Sequence, residues 1–102
     1  MKVYWTHSAT RDLQALEIYI AQDSPSYARQ FVAKILASTR KLESFPKIGR
    51  KVPEAEREDI RELIFQHYRI IYRETGNEVH ILAVLHGSRN LSTVQPKPWE
   101  VG

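Results

Sequence analysis

The run HYRIIYRETGNEVHILAVLHGSR, residues 67–89, sets Arg69, Arg73, His80, His86 and Arg89 among β-branched and aromatic side chains. Guanidinium groups neutralise phosphates or carboxylates bidentately, and a histidine exchanges protons near neutral pH. With Arg61 on the preceding run, this set has the chemistry of a phosphate-handling or acid–base site. The same residues also fit a simpler account, a half-exposed sheet face with ion pairs to Glu62, Glu74 and Glu78. Residues of equal parity in a strand share a face. Arg69, Ile71 and Arg73 are therefore expected opposite Tyr68, Ile70 and Tyr72, and His80 on one face with Leu82, Val84 and His86.

Other chemistries find less support. His7, His67, His80 and His86 show no i, i+4 helical pairing and no adjacent cysteine or carboxylate pair, so neither a metal nor a cofactor is expected. Gly87-Ser88-Arg89 lacks the further glycines and following helix of a phosphate-cradling loop, and reads as a turn that presents Arg89. Ser88 and Ser92 lie near His86 without an evident oriented base or oxyanion site. Trp5, Tyr19, Tyr27 and Trp99 are scattered, which suits packing better than base stacking.

The elements that would position these groups follow from periodicity. KVYW has the composition of a short first strand, and Thr6 or Ser8 can cap the next helix. Ala9, Leu13, Leu16 and Ile20 form one apolar stripe, predicting a helix over residues 7–22. Ser24 and Pro25 supply an N-cap and first-turn proline for a second helix. Its buried side is read as Ala28, Phe31, Val32, Ile35, Leu36, Leu42 and Phe45, with Arg29, Lys34, Arg40 and Lys41 outside. The short link makes the two helices an antiparallel hairpin. FPKIGRKVPEAERED is rich in Pro, Gly and charge and reads as a loop. RELIF, YRIIYR and EVHILAVLH read as three antiparallel strands, the last two joined through a Gly76-Asn77 turn.

The order is thus β-α-α-β-β-β, an α+β domain with a helical hairpin on one face of a small, mostly antiparallel sheet. The opposite face is expected to be open and the natural place for function. Leu91 and Trp99 should tie down part of the C-terminal segment, with a tail over 92–102 that is loose at its end.

The 102 residues fit one domain over 1–102, with 42% hydrophobic content for one modest core. No cysteine is present, which excludes disulfides, thiolate chemistry and Cys-ligated zinc, and suits a reducing cytoplasm. No run approaches the roughly 18 apolar residues of a membrane span, so neither secretion nor a membrane partner is expected. Net charge is only +3, but residues 1–51 carry nine Lys/Arg against four Asp/Glu, and residues 52–102 six against eight. The basic excess lies on the helical half and its following loop, and would suit a nucleic acid or an acidic protein partner.

Four segments in order carry a resemblance along nearly the whole chain: ATRDLQALEIYIAQDSPSYARQFVAKI, then L-x-x-F-P-x-x-G-R-x-V-P-E, then RELIFQHYRIIYR, and finally VHILAVLHGSR. Together they resemble the RelE/ParE toxin superfamily of bacterial type II toxin–antitoxin systems. The resemblance implies the same β-α-α-β-β-β fold and one of two activities. RelE-like members are ribosome-dependent endoribonucleases that cleave mRNA through the 2′-hydroxyl; ParE-like members, also labelled plasmid stabilisation proteins, block DNA gyrase. Arg69 and Arg89 match the two arginines of the RelE pattern. Its paired lysines correspond here to Arg61 and Glu62, and its C-terminal tyrosine falls near Gln95. A carboxylate would repel the charge those lysines stabilise, and glutamine cannot shuttle a proton.

The GRKVPE loop, the YRIIY strand and the HGSRNL exit look more ParE-like, so the resemblance favours a gyrase-directed toxin without catalysis of its own. Its contact surfaces would involve Arg29, Lys34, Arg40, Lys41, Arg69 and Arg89. The alternative is an mRNA-cleaving toxin using Arg61, Arg69, His86 and Arg89, with His86 or His67 moving the proton on the ribosome. A further alternative is an inactive member that retains only antitoxin binding. Each implies a cognate antitoxin whose C-terminal segment folds on binding.

Overall fold

The computed structural model describes residues 1–100. Strand β1 (Lys2–Trp5) leads into helix α1 (His7–Ala21), and helix α2 (Pro25–Arg40) folds back against it. Thr6 caps α1, its hydroxyl accepting the Ala9 N–H at 3.1 Å, and Ser24 caps α2 by accepting from Tyr27 at 3.2 Å. Pro25 occupies the first turn, where a missing N–H costs nothing. Both caps, and the span of α1, agree with the expectation from sequence.

A five-stranded sheet packs beneath the hairpin: β2 (Arg50–Lys51), β3 (Ile60–Phe65), β4 (Tyr68–Glu74) and β5 (Glu78–His86) join β1 in the order β1-β5-β4-β3-β2. β1 runs parallel to β5, and the other pairings are antiparallel. The β4–β5 turn uses Gly76 at φ +93°, a conformation that favours glycine. Ala9, Leu13, Phe31, Ile35, Leu42, Ile70, Tyr72, Val79, Ile81 and Val84 fill the layer between helices and sheet. Fully burying a side chain of Leu or Ile size contributes about 1.5–3 kcal/mol, so this layer is the main source of stability.

Three features depart from expectation. The opposite sheet face is not open: Val52, Ile60, Ile71, Leu82, Ala83, Leu85, Leu91 and Trp99 form a second buried cluster, joined by Ala55 and Val94. The proline-rich loop and the C-terminal segment supply its cover, which helix counting could not reveal. Within that loop Arg50 and Lys51 pair with Glu62 and Arg61 as a two-residue edge strand. Phe45 is 63% exposed instead of buried. Helix α2 ends at Arg40 and continues as a 3₁₀ turn over Lys41–Glu43; the changed period keeps Leu42 in the core and rotates Phe45 out of it. Beyond the buried Leu91 and Trp99, the expected loose end falls partly on residues 101–102, which lie outside the described residues.

Candidate functional site

Arg69 is the centre of the candidate site, and it is buried at 7% exposure on the sheet face away from the helices. β3 places Glu62 beside it with a fully buried side chain, one carboxylate oxygen accepting from Arg69 Nε and the other from Arg50 Nε at 2.7 Å. The loop after β2 brings Glu54 against the same guanidinium, and Arg69 Nη1 and Nη2 each donate to a Glu54 oxygen at 2.9 Å. This is a fork-to-fork pair, the strongest geometry available to an arginine and a carboxylate. The Arg69 hydrogen bond holds the Glu54 carboxyl below the usual range, and Glu54 and then Glu62 push the guanidinium pKa up against its burial. Arg50, Glu54, Glu62 and Arg69 together carry no formal net charge.

A cleft of about 360 Å³ opens beside Arg69, where the β3–β4 turn meets the exit of β5. His67 and His86 face each other there, ring centroids 6.1 Å apart and planes 21° from parallel. Gly87 N–H donates to the His67 carbonyl at 2.6 Å; a Cβ at Gly87 would sit 3.1 Å from that oxygen, so the close approach of the two turns favours glycine. Ser88 N–H donates to His86 Nδ1 at 3.1 Å. A backbone N–H can only donate, so this bond places the proton of a neutral His86 ring on Nε2. The Ser88 hydroxyl also lies 2.7 Å from Nδ1.

The other sequence candidates are dispersed. Arg61 pairs across from Tyr72, so it projects toward the helices, and its Nη1 donates to the Lys47 and Gly49 carbonyls at 3.3 and 2.8 Å. Arg89 is exposed and lines a separate groove of about 240 Å³ with Ser8 and Asp12. Asp12 accepts the Val84 N–H at 3.0 Å; burial pushes its carboxyl up, and that hydrogen bond and then Arg89 offset only part of the rise. Arg73 donates to the Trp99 carbonyl at 2.6 Å. Arg29, Lys34, Arg40 and Lys41 are exposed on α2 and its 3₁₀ extension, without an ion pair among the described residues.

His80 and His86 do not share a face. A register shift between Ile71 and Tyr72 leaves Leu82 as the extra residue on β5, so His80 lies opposite Arg73 while His86 lies opposite Tyr68. His80 bonds Glu78 at 2.7 Å and tilts against Tyr4, away from the cleft. Sequence reading missed Glu54, Arg50 and Asp12. The available signal was Glu62, which shares its parity with the buried Ile60.

The cleft can bind a polar group through His86 Nε2 and can move a proton there. It offers little uncompensated positive charge for a pentavalent phosphate, because its two arginines, Arg50 and Arg69, are already matched by the carboxylates of Glu54 and Glu62. Among the described residues no group of three His, Cys, Asp or Glu is arranged to hold a metal.

A helical hairpin on a five-stranded sheet, with a carboxylate-locked arginine at its centre and exposed basic side chains on the hairpin, defines a small basic α+β domain. Residues 3–91 match the family described as ParE toxin of type II toxin-antitoxin system, parDE, and the chain belongs to that family. It is 31% identical over 88 residues to Toxin RelE2 of Caulobacter vibrioides, covering 86% of this chain and 97% of the relative. Among solved structures it is similar to a chain of the chromosomal ParDE system from P. aeruginosa, with TM-score 0.70 and 26% identity over 84% of this chain and 95% of that one. It also resembles a chain of the toxin-antitoxin complex RelBE2 from Mycobacterium tuberculosis, with TM-score 0.61 and 25% identity over 83% and 95%.

Proposed function

We infer that this type II toxin acts by binding DNA gyrase in the cytoplasm and stabilising its cleaved-DNA state, not by catalysis of its own. The observation that supports this reading is the locking of Arg69 between Glu54 and Glu62. An arginine that stabilises a transition state must direct unmatched positive charge toward the place where negative charge develops, and in the resting protein carboxylates take three of this one's five N–H donors and match its charge. Arg89 lines another groove and so does not complete a paired-arginine site with it. The basic side chains Arg29, Lys34, Arg40 and Lys41, exposed on the hairpin, are the charged contact candidates for gyrase and its DNA.

One observation favours the second reading, an mRNA-cleaving toxin: His67, His86 and Ser88 converge on an open cleft with a defined proton position. The two readings separate in a pair of assays on the purified protein, gyrase supercoiling with plasmid cleavage and translation-dependent mRNA cleavage. Lost supercoiling with linearised plasmid and intact mRNA is the expected result. Cleavage of mRNA only on translating ribosomes, abolished by His86→Ala, would replace the gyrase reading.

The family and its structural relatives also support a cognate antitoxin as partner. It would neutralise the toxin by covering its surface, and a complex with the product of the neighbouring gene is the direct test.

A further inference from the structure

The segment between α2 and β2 is exposed, apolar and held in one shape. Phe45 and Ile48 are 63% and 57% exposed, yet Pro46 and Lys47 complete a shallow apolar hollow of about 350 Å³ with them. Two large apolar side chains displayed side by side mark an interaction site more often than two scattered ones do. The loop that carries them is fixed by one buried hydroxyl. Tyr72 donates to the Pro46 carbonyl at 2.8 Å and accepts the Gly49 N–H at 3.0 Å, so both shoulders of the loop rest on a residue with no exposed surface. A Cβ at Gly49 would meet that hydroxyl at 2.7 Å and the Glu62 carbonyl at 2.6 Å, which leaves no room for any other residue. Arg61 Nη1 adds bonds to the Lys47 and Gly49 carbonyls. A surface already ordered loses little entropy when a partner arrives.

Charge around the hollow is mostly positive. Lys41, whose carbonyl accepts the Phe45 N–H at 2.9 Å, lies one turn before it, and Lys47 lies within it. Residues 41–52 carry Lys41, Lys47, Arg50 and Lys51 against Glu43 alone. Arg50 and Lys51 are matched by Glu62 and Glu58, whereas Lys41, Lys47 and the neighbouring Arg40 have no ion pair among the described residues.

We propose that the Phe45–Ile48 loop, flanked by Lys41 and Lys47, is a docking site for an acidic segment of the cognate antitoxin that carries two closely spaced apolar side chains. The apolar pair anchors in the hollow and the carboxylates meet the unmatched cations, which also steer the encounter. The proposal rests on the antitoxin reading above and adds the chemistry and place of one contact.

The test uses the full-length toxin and the antitoxin encoded beside it, with affinity measured by titration. Phe45→Ser combined with Ile48→Ser removes only exposed side chains, so thermal unfolding should match the wild type. It is expected to weaken antitoxin binding at least about tenfold, about 1.4 kcal/mol. Lys41→Glu with Lys47→Glu should weaken it several-fold and flatten its dependence on ionic strength. Unchanged affinity in both variants overturns the docking site while leaving the antitoxin reading intact. Failure of wild-type toxin to form any complex overturns both. If antitoxin affinity holds while gyrase inhibition or self-association of the toxin is lost in Phe45→Ser/Ile48→Ser, the occupant is gyrase or a second copy, and the proposal is wrong.

Discussion

Arg69 shows how a residue type legible in sequence takes its role from partners that are not. Its strand position and face follow from parity, but Glu54, 15 residues earlier in the chain, reaches it from a loop whose course no periodicity encodes. Removing one member of a buried ion pair strands the other charge, at a cost of about 3–5 kcal/mol. Arg69→Ala should therefore lower the unfolding free energy measured in urea toward that order, with Glu62 keeping Arg50 alone. If the protein acts by binding, the folded fraction of this variant should keep its specific toxicity; a loss far beyond the loss of fold would mark Arg69 as a reacting group. Glu54 gives a pH signature. Its carboxyl lies near 4.5 in an unfolded chain and lower in the folded protein, because it accepts from Arg69. Between those two values the unfolded state binds more protons, so stability is full above about 4.5 and falls as pH drops through the depressed value. Unfolding free energy measured against pH should show this acid loss in the wild type and a shallower one in Glu54→Gln.

At the scale of elements, caps and apolar stripes were readable because each is local: Thr6, Ser24 and Pro25 act within one turn of themselves. The β5 irregularity at Leu82 was not, since residues 81–85 of EVHILAVLH are all apolar and leave no alternation in which a break could show, and the extra residue shows only in pairing with β4. It lies beyond the end of β1, whose pairing with β5 stops at Ile81. Along that stretch α1 takes over the work of a neighbouring strand, with the Asp12 carboxylate receiving the Val84 N–H. Asp12→Ala should leave that donor unpaired and cost about 1–3 kcal/mol. Asp12→Asn keeps an acceptor and removes a charge that burial disfavours, so it should unfold at the wild-type temperature or slightly above. Equal melting of the alanine and asparagine variants would deny the bond its structural part. Phe45 is the counterpart on α2, where a three-residue 3₁₀ turn breaks the period that had assigned it to the core.

The whole molecule has three layers, although only two are visible in the order of helices and strands. Helices cover one face of the sheet; the other is closed by the loop holding Val52 and Ala55 and by the C-terminal segment holding Leu91, Val94 and Trp99. The segment is irregular, and irregular cover has no period to read, so a face expected to be an open site is instead a second core. Trp99, 9% exposed, is the seal: its ring joins Ile71, Leu82 and Leu85, and its carbonyl accepts from Arg73. Trp99→Ala should cost about 3–5 kcal/mol through lost burial and the cavity left behind. Ending the chain at Asn90 goes further, uncovering Ile71, Leu82 and Leu85 together. That truncation should bind a hydrophobic dye and associate with itself, as continuous exposed apolar surface does. Hydrogen exchange separates this from general unfolding. With the third layer gone, β4 and β5 amides should lose protection while α1 and α2 amides keep theirs; uniform loss would mean the two cores melt as one unit.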